Sequence, residues 1–210
     1  MDFTTIQSFA SLGFGHITAP GALDHILFLV ALAAIYRRNE WRQALVVITA
    51  FTVGHSITLA VAVLRPGSLP DPGIVEFLIP LTILATGVEN IFTRGVVERR
   101  IHAGRRAMLA GVFGLVHGAG FAAYLTELFS GSIAAPLLGF NIGIEFGQAL
   151  VIAFAIAALG VIDRCLRGVV VRYPMAGVRQ PSSGFRLRVA SVSFVVCVMG
   201  ALWAVERASW

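Results

Sequence analysis

The sequence of 210 residues contains no lysine, and its charged residues of all kinds make up only 13% of the chain. Soluble globular domains carry about 25% charged residues, so this composition excludes an ordinary soluble domain. No polar stretch is long enough to bury a core of its own. The sequence therefore predicts one integral membrane domain over residues 1–210.

Cysteine and catalytic motifs are scarce as well. Cys165 and Cys197 lie far apart and form neither a C-x-x-C motif nor a disulfide framework. The chain has no G-x-x-x-x-G-K-[ST] motif for ATP binding. No serine or cysteine forms a known nucleophile motif with a histidine. These absences argue against an ATP-driven pump and predict that the protein is not an enzyme.

What the sequence does contain is a series of apolar segments of roughly 17–25 residues, the length that crosses a bilayer as a helix. They predict an all-α polytopic membrane helix bundle whose six transmembrane helices lie near residues 19–36, 44–64, 73–92, 108–129, 136–162 and 185–205. Residues 1–18 have apolar side chains at helical spacing, which predicts a short helix on the outer membrane surface.

Arginine predicts the orientation of this bundle. Every arginine except Arg65 and Arg207 falls in the first, third or fifth connection between the apolar segments or in the first four residues of the segment that follows. Basic residues in short loops mark the cytoplasmic side, so both termini are predicted to lie outside. The net charge of +5 is therefore a topology signal. We expect the protein to interact with the lipid bilayer and not with nucleic acid.

Titratable side chains occur inside these apolar segments, where each costs at least a few kcal/mol and usually has a function. At about 1.5 Å per residue, His55, His117 and Glu145 fall close to the membrane midplane. They predict a central metal site, with Asp24 and His25 at its outer mouth. The remaining candidates are His16 as a further ligand near the outer surface, and the pathway or supporting residues Glu76, Glu89, Asn141 and Gln148.

The fifth apolar segment carries two stripes. Asn141, Glu145 and Gln148 share one face, so the two amides would orient the carboxylate or share its ion. A second, nearly opposite face carries glycines at positions 139, 143 and 147. Such a stripe predicts close packing against a neighbouring helix.

Histidine nitrogen combined with carboxylate oxygen suits nickel, iron, zinc, manganese or cobalt, and the absence of thiolates argues against copper(I). Binding should weaken as the pH falls, because imidazole must be neutral to bind a metal. His55 and His117 would also suit axial haem ligation, although no C-x-x-C-H motif is present. A metal- or haem-binding membrane redox protein and a metal-binding accessory scaffold therefore stay open as alternatives.

Five motifs between residues 12 and 150 resemble the HupE/UreJ family of hydrogenase and urease accessory membrane proteins. In chain order they are Gly15-His16-Ile17, Gly-x-x-Asp24-His25-Ile-Leu-Phe, Phe51-Thr-x-x-His55-Ser-Ile-Thr-Leu, Phe113-Gly-Leu-x-His117-Gly-x-Gly-Phe and Gly139-Phe-Asn-x-Gly-x-Glu145-x-Gly-Gln148. The resemblance implies a six- or seven-helix nickel permease of the bacterial cytoplasmic membrane. It also implies a metalloenzyme-maturation partner, while a homo-oligomer is left open.

Two positions depart from the family pattern. His16 stands eight residues before Asp24, a longer spacing than the family's, and Tyr124 occupies the position where nickel-transporting members carry a glutamate. The sequence thus predicts secondary transport of a divalent transition-metal cation, with nickel as the first candidate, through an intramembrane site of His, Asp and Glu.

Overall fold

The computed structural model describes residues 3–92, 99–128, 133–172 and 183–208, and over these ranges it is built from helices alone. A 3₁₀ turn at Arg38–Glu40 precedes the third helix. The α-helices are α1 (Phe3–Thr18), α2 (Leu23–Ala33), α3 (Trp41–Leu64), α4 (Pro72–Phe92), α5 (Arg99–Leu128), α6 (Ala134–Arg172) and α7 (Ser183–Glu206). The prediction of an all-α membrane bundle is confirmed. Some positions used in the predictions lie outside the described residues: residues 1–2, Arg94, residue 129 and Arg179.

Most of the predicted spans correspond to single helices. In the described part of the chain, four helical segments are each long and apolar enough to cross a membrane. They are α3, α4, residues Ala134–Cys165 of α6 and residues Gly184–Glu206 of α7. Residues 108–128 of the fourth predicted span lie within α5, which packs along α3. The first predicted span, 19–36, is different, because α2 has only 11 residues. It reaches membrane-spanning length only together with α1, from which it is bent by 71°.

The helix predicted near the N-terminus is present as α1, over residues 3–18, but the structure does not show it as a separate surface helix. Instead α1 packs lengthwise against α6, and the two helices run in the same direction. Their backbones touch through glycines: a Cβ at Gly143 would overlap the Ala10 carbonyl oxygen, and one at Gly13 would overlap that of Phe140. The glycine stripe of α6 therefore has the close neighbour that was predicted, and that neighbour is α1.

A second glycine seam joins α3 to α5, again in the same direction. A Cβ at Gly54 would overlap the Gly111 carbonyl oxygen, and one at Gly114 would overlap that of Phe51. In contrast, α4 and α7 run in opposite directions, because Gly87 faces Ser193 whereas Gly200, farther along α7, faces Leu84 on α4. These are the directions expected of a chain that crosses the membrane six times in alternation, with α1 and α2 counted as one crossing.

Candidate metal centre

Three histidines from three helices bring nitrogen atoms to one point inside the bundle. His16 lies near the end of α1, His25 near the start of α2, and His55 in the middle of α3. One ring nitrogen from each lies within 4.8 Å of the other two. This spacing allows a single ion to contact all three rings. His16, predicted only as a ligand near the surface, is thus part of the cluster.

The break between α1 and α2 creates this arrangement. Pro20 and Gly21 lie in the break, and proline has no N–H to continue a helix. The bend turns α2 back toward the end of α1, so that the His16 and His25 rings come within 4.6 Å of each other, centre to centre. The helix after the break, α2, begins at Leu23.

The histidine nitrogens are buried and lack partners. His55 is 0% exposed and His117 1% exposed. Among the described residues, no hydrogen-bond partner reaches His16 Nε2, His25 Nε2, either nitrogen of His55, or His117 Nδ1. Leaving a buried polar atom unsatisfied costs about 1–3 kcal/mol, and each such atom calls for an explanation. An ion bound among these five nitrogens would satisfy several of them together.

Asp24 acts on this cluster through His25. Its Oδ1 accepts hydrogen bonds from the backbone N–H of His25 at 2.8 Å and from His25 Nδ1 at 3.0 Å. With Nδ1 donating its proton to a carboxylate, the lone pair of His25 Nε2 is free to bind a metal. Carboxylate–histidine pairs of this kind orient the ring and raise its basicity in known metal sites.

His117 is oriented in a similar way by Thr82. The single hydroxyl proton of Thr82 is donated to the Ile79 carbonyl oxygen at 2.7 Å. The same hydroxyl oxygen lies 2.9 Å from His117 Nε2, so it accepts the Nε2 proton. The lone pair of His117 then lies on Nδ1, the buried nitrogen without a partner. Because the His117 ring centre lies 5.0 Å from that of His25, His117 is placed to join the three-histidine cluster.

Aromatic rings surround the histidines. Phe51 lies 5.2 Å from His117 and 6.1 Å from His55, centre to centre, and Phe121 lies 4.0 Å from His16. These apolar walls lower the local dielectric and strengthen contacts between an ion and its ligands. Sequence reasoning assigned the phenylalanines no role. The signal available was the spacing of Phe51 four residues before His55, which places both on one helical face.

Two cavities adjoin the cluster, and His16 lines both. The first, of about 300 Å³, lies between the α1–α2 break, α4 and α5, and its polar lining consists of His16, Asp24, His25 and His117. The second, of about 480 Å³, lies between α1 and α5, and Tyr124 lines it. Tyr124, which departs from the pattern of the resemblance, therefore lines a cavity beside His16. The two cavities together border His16 on two sides of the cluster.

Glu145 and its two neighbours lie elsewhere, in the seam between α3 and α6. Thr49 donates to Glu145, Thr52 donates to Gln148 at 2.9 Å, and Ser56 donates to Asn141 at 2.6 Å. The three α6 residues do share one face, as predicted. The structure nevertheless does not group Glu145 with the histidines, because Glu145 accepts from Thr49, six residues before His55 on α3.

The two pathway glutamates also lie away from the histidine cluster. Glu76 is exposed near the start of α4. Glu89 forms ion pairs with Arg105 at 2.8 Å and with the buried Arg106 at 3.3 Å, at the arginine-rich end of the bundle. Glu89 therefore belongs to a structural ion-pair network at that end.

Comparison with known proteins gives one positive finding. The family model described as HupE / UreJ protein matches residues 2–207, nearly the whole chain and well beyond the region of the five motifs. No curated protein and no solved structure matches the chain.

Proposed function

We propose, from the premise that this chain belongs to the HupE/UreJ family, that it carries a divalent transition-metal cation across the bacterial cytoplasmic membrane. Nickel is the first candidate, because the family is named for hydrogenase and urease accessory proteins. Family membership and the long apolar helices make the chain a multi-pass membrane protein and support metal transport in general. The choice of nickel and of a permease mechanism is our proposal.

The observation that carries the proposal is the convergence of unpaired imidazole nitrogens. In this proposal His16, His25 and His55 hold the ion, and His117 Nδ1 supplies a further nitrogen. Imidazole suits nickel, cobalt, zinc and iron, and the set includes no thiolate. Asp24 supplies negative charge through His25. In this proposal the ion reaches the cluster through the cavity that His16, Asp24, His25 and His117 line.

The geometry favours a single ion over a haem. Axial haem ligands approach the iron from opposite faces of a flat porphyrin. A haem takes two axial ligands, whereas here the nitrogens of three histidines converge on one point, and phenylalanine rings pack directly against these histidines. An absorption spectrum of the purified protein checks this choice, because a Soret band would establish the redox alternative.

Transport is tested in proteoliposomes that contain a metal-sensitive dye. We expect external Ni²⁺ to reach the dye only when the protein is present, and Mg²⁺, which prefers oxygen ligands, to be excluded. Calorimetry on the same preparation measures binding. Tight Ni²⁺ binding without uptake would contradict the permease and support the accessory scaffold, whereas the absence of both would overturn the metal site itself.

The Asp24–His25 pair leads to a separate prediction. We expect Asp24→Asn to weaken Ni²⁺ binding about 10–100-fold, the usual cost of losing a supporting carboxylate behind a metal-bound histidine. The amide keeps an oxygen acceptor, and only the charge and basicity effects are lost. Calorimetric titration measures the change.

The matched control is Asp71→Asn. Asp71 is exposed, and its carboxylate accepts a hydrogen bond from the backbone N–H of Gly73, a contact that an asparagine also makes. This variant should bind Ni²⁺ like the original chain. Equal losses in the two variants would show that the effect of Asp24→Asn is one of general charge and has no connection with His25.

A further inference from the structure

A cavity of about 970 Å³ lies at the arginine-rich end of the bundle, between the start of α3, the second half of α6 and the start of α7. It shares no lining residue with the histidine cluster or its two cavities. Its size is at the upper end of the 300–1,000 Å³, roughly, that small-molecule sites occupy. Nothing in the proposed transport of metal ions uses this space.

One wall of the cavity is apolar and lies at membrane depth. It is formed by residues of α6 that recur every three or four positions and so share a face: Ala153, Ile156, Ala157, Gly160 and Val161. They belong to the part of α6, Ala134–Cys165, that is long and apolar enough to span the bilayer. Trp41 also lines the cavity, and tryptophan favours the level of the lipid headgroups. The cavity thus extends from the headgroup level into the hydrocarbon region.

The rim of the cavity is cationic. Arg37, Arg164 and Arg188 line it, and Asp163 is the only carboxylate among its lining residues. Asp163 is already paired with the buried Arg188 at 2.6 Å, and Arg188 also donates to the carbonyl oxygen of Tyr36 at 3.1 Å. The lining therefore offers no second acid for Arg37 and Arg164. Outside the lining, the Glu40 carboxylate accepts a hydrogen bond from the backbone N–H of Arg37 at 2.9 Å.

Phe185 holds part of this rim in place. The guanidinium carbons of Arg37 and Arg188 each lie 4.7 Å from the centre of the Phe185 ring, in cation–π contact. Such contacts contribute about 0.5–2 kcal/mol and restrict the rotamers of a long side chain. Arg37 is consequently held at the cavity before any ligand arrives.

We infer that this cavity binds an anionic phospholipid, with its phosphate between Arg37 and Arg164 and an acyl chain along the α6 wall. Basic pockets between transmembrane helices on the cytoplasmic side are suited to anionic headgroups. A free phosphate would use the rim and leave the apolar wall in contact with water. The combination of a cationic rim with an apolar wall at membrane depth fits a lipid, and the inference is independent of which ion the protein carries.

The test is lipid binding to the full chain in detergent, measured by native mass spectrometry with phosphatidylglycerol and with phosphatidylcholine. We expect phosphatidylglycerol to be retained in preference. Arg37→Gln and Arg164→Gln should each weaken its binding about fivefold, from roughly 1 kcal/mol per basic residue near the surface. The matched control is Arg42→Gln: Arg42 lies beside the cavity, stacks on Trp41 at 5.3 Å and does not line the cavity.

A steric variant and a competitor complete the test. A Cβ at Gly160 would meet no atom within 4 Å, and Gly160 lines the cavity. The side chain of Gly160→Leu should therefore enter the cavity and displace the lipid while the protein stays folded. Inorganic phosphate in millimolar excess should not compete. Competition by phosphate would overturn the lipid in favour of a soluble anion. Equal binding of the two lipids, or a loss in Arg42→Gln as large as in Arg164→Gln, would overturn the site.

Discussion

Replacing His55 with alanine is expected to lower the affinity for Ni²⁺ by more than about 100-fold and to abolish uptake, while the protein still inserts and purifies. The loss of a supporting residue behind a metal ligand costs about 10–100-fold, and His55 is proposed to be a ligand itself. The side chain is 0% exposed and its two nitrogens have no partner among the described residues. Removing it therefore breaks no hydrogen bond within that part of the protein.

Glu145→Gln distinguishes the site predicted from the sequence, with Glu145 beside His55 and His117, from the three-histidine site of the structure. Glu145 accepts a hydrogen bond from Thr49 in the α3–α6 seam, and glutamine keeps that acceptor. We expect Ni²⁺ affinity within about threefold of the original value in Glu145→Gln, against the loss of more than about 100-fold in His55→Ala. Calorimetry and dye-loaded proteoliposomes measure both. If Glu145→Gln lost binding while His55→Ala kept it, the three-histidine site would be wrong.

Replacing Gly114 with alanine is expected to destabilise the bundle. We also expect it to lower the metal affinity, by less than His55→Ala does. A Cβ at this position would overlap the carbonyl oxygen of Phe51 across the α3–α5 seam, with the His55 backbone nitrogen 3.0 Å away. The helices must move apart, and overpacking of this kind costs about 1–3 kcal/mol. For a protein of this size that corresponds to a melting temperature lower by about 2–12 °C. The shift also displaces Phe51 and His55, so we expect weaker Ni²⁺ binding in the protein that remains folded.

The control for this variant lies on the same helix. Gly104 is an exposed glycine of α5, and a Cβ there meets no atom within 4 Å. Since alanine favours a helix by about 1 kcal/mol relative to glycine, Gly104→Ala should melt at the original temperature or slightly above it. Thermal unfolding followed by fluorescence measures both variants. A stable Gly114→Ala protein with unchanged Ni²⁺ affinity would show that the seam adapts to a larger residue.

The sequence by itself determined the class of the protein and most of its helices. Apolar composition and segment length are local properties, so they predicted an all-α membrane bundle, and α3, α4, α6 and α7 lie close to where they were expected. The glycine stripe of α6 was also predictable from the sequence, because helical spacing alone places glycines 139, 143 and 147 on one face. The five motifs predicted the family to which the chain belongs. Each of these features is fixed within one continuous segment.

Only the tertiary structure decided which segments meet. The partner of the α6 glycines is α1, which the sequence had placed on the membrane surface, and the 71° break after α1 brings His16 to His25. Glu145 faces Thr49 on α3 and is not part of the three-histidine cluster. The physical reason is that hydropathy measures depth along the membrane normal and contains no information on rotation about a helix axis. That rotation is set by side-chain packing between helices, and it decides which histidines share an ion.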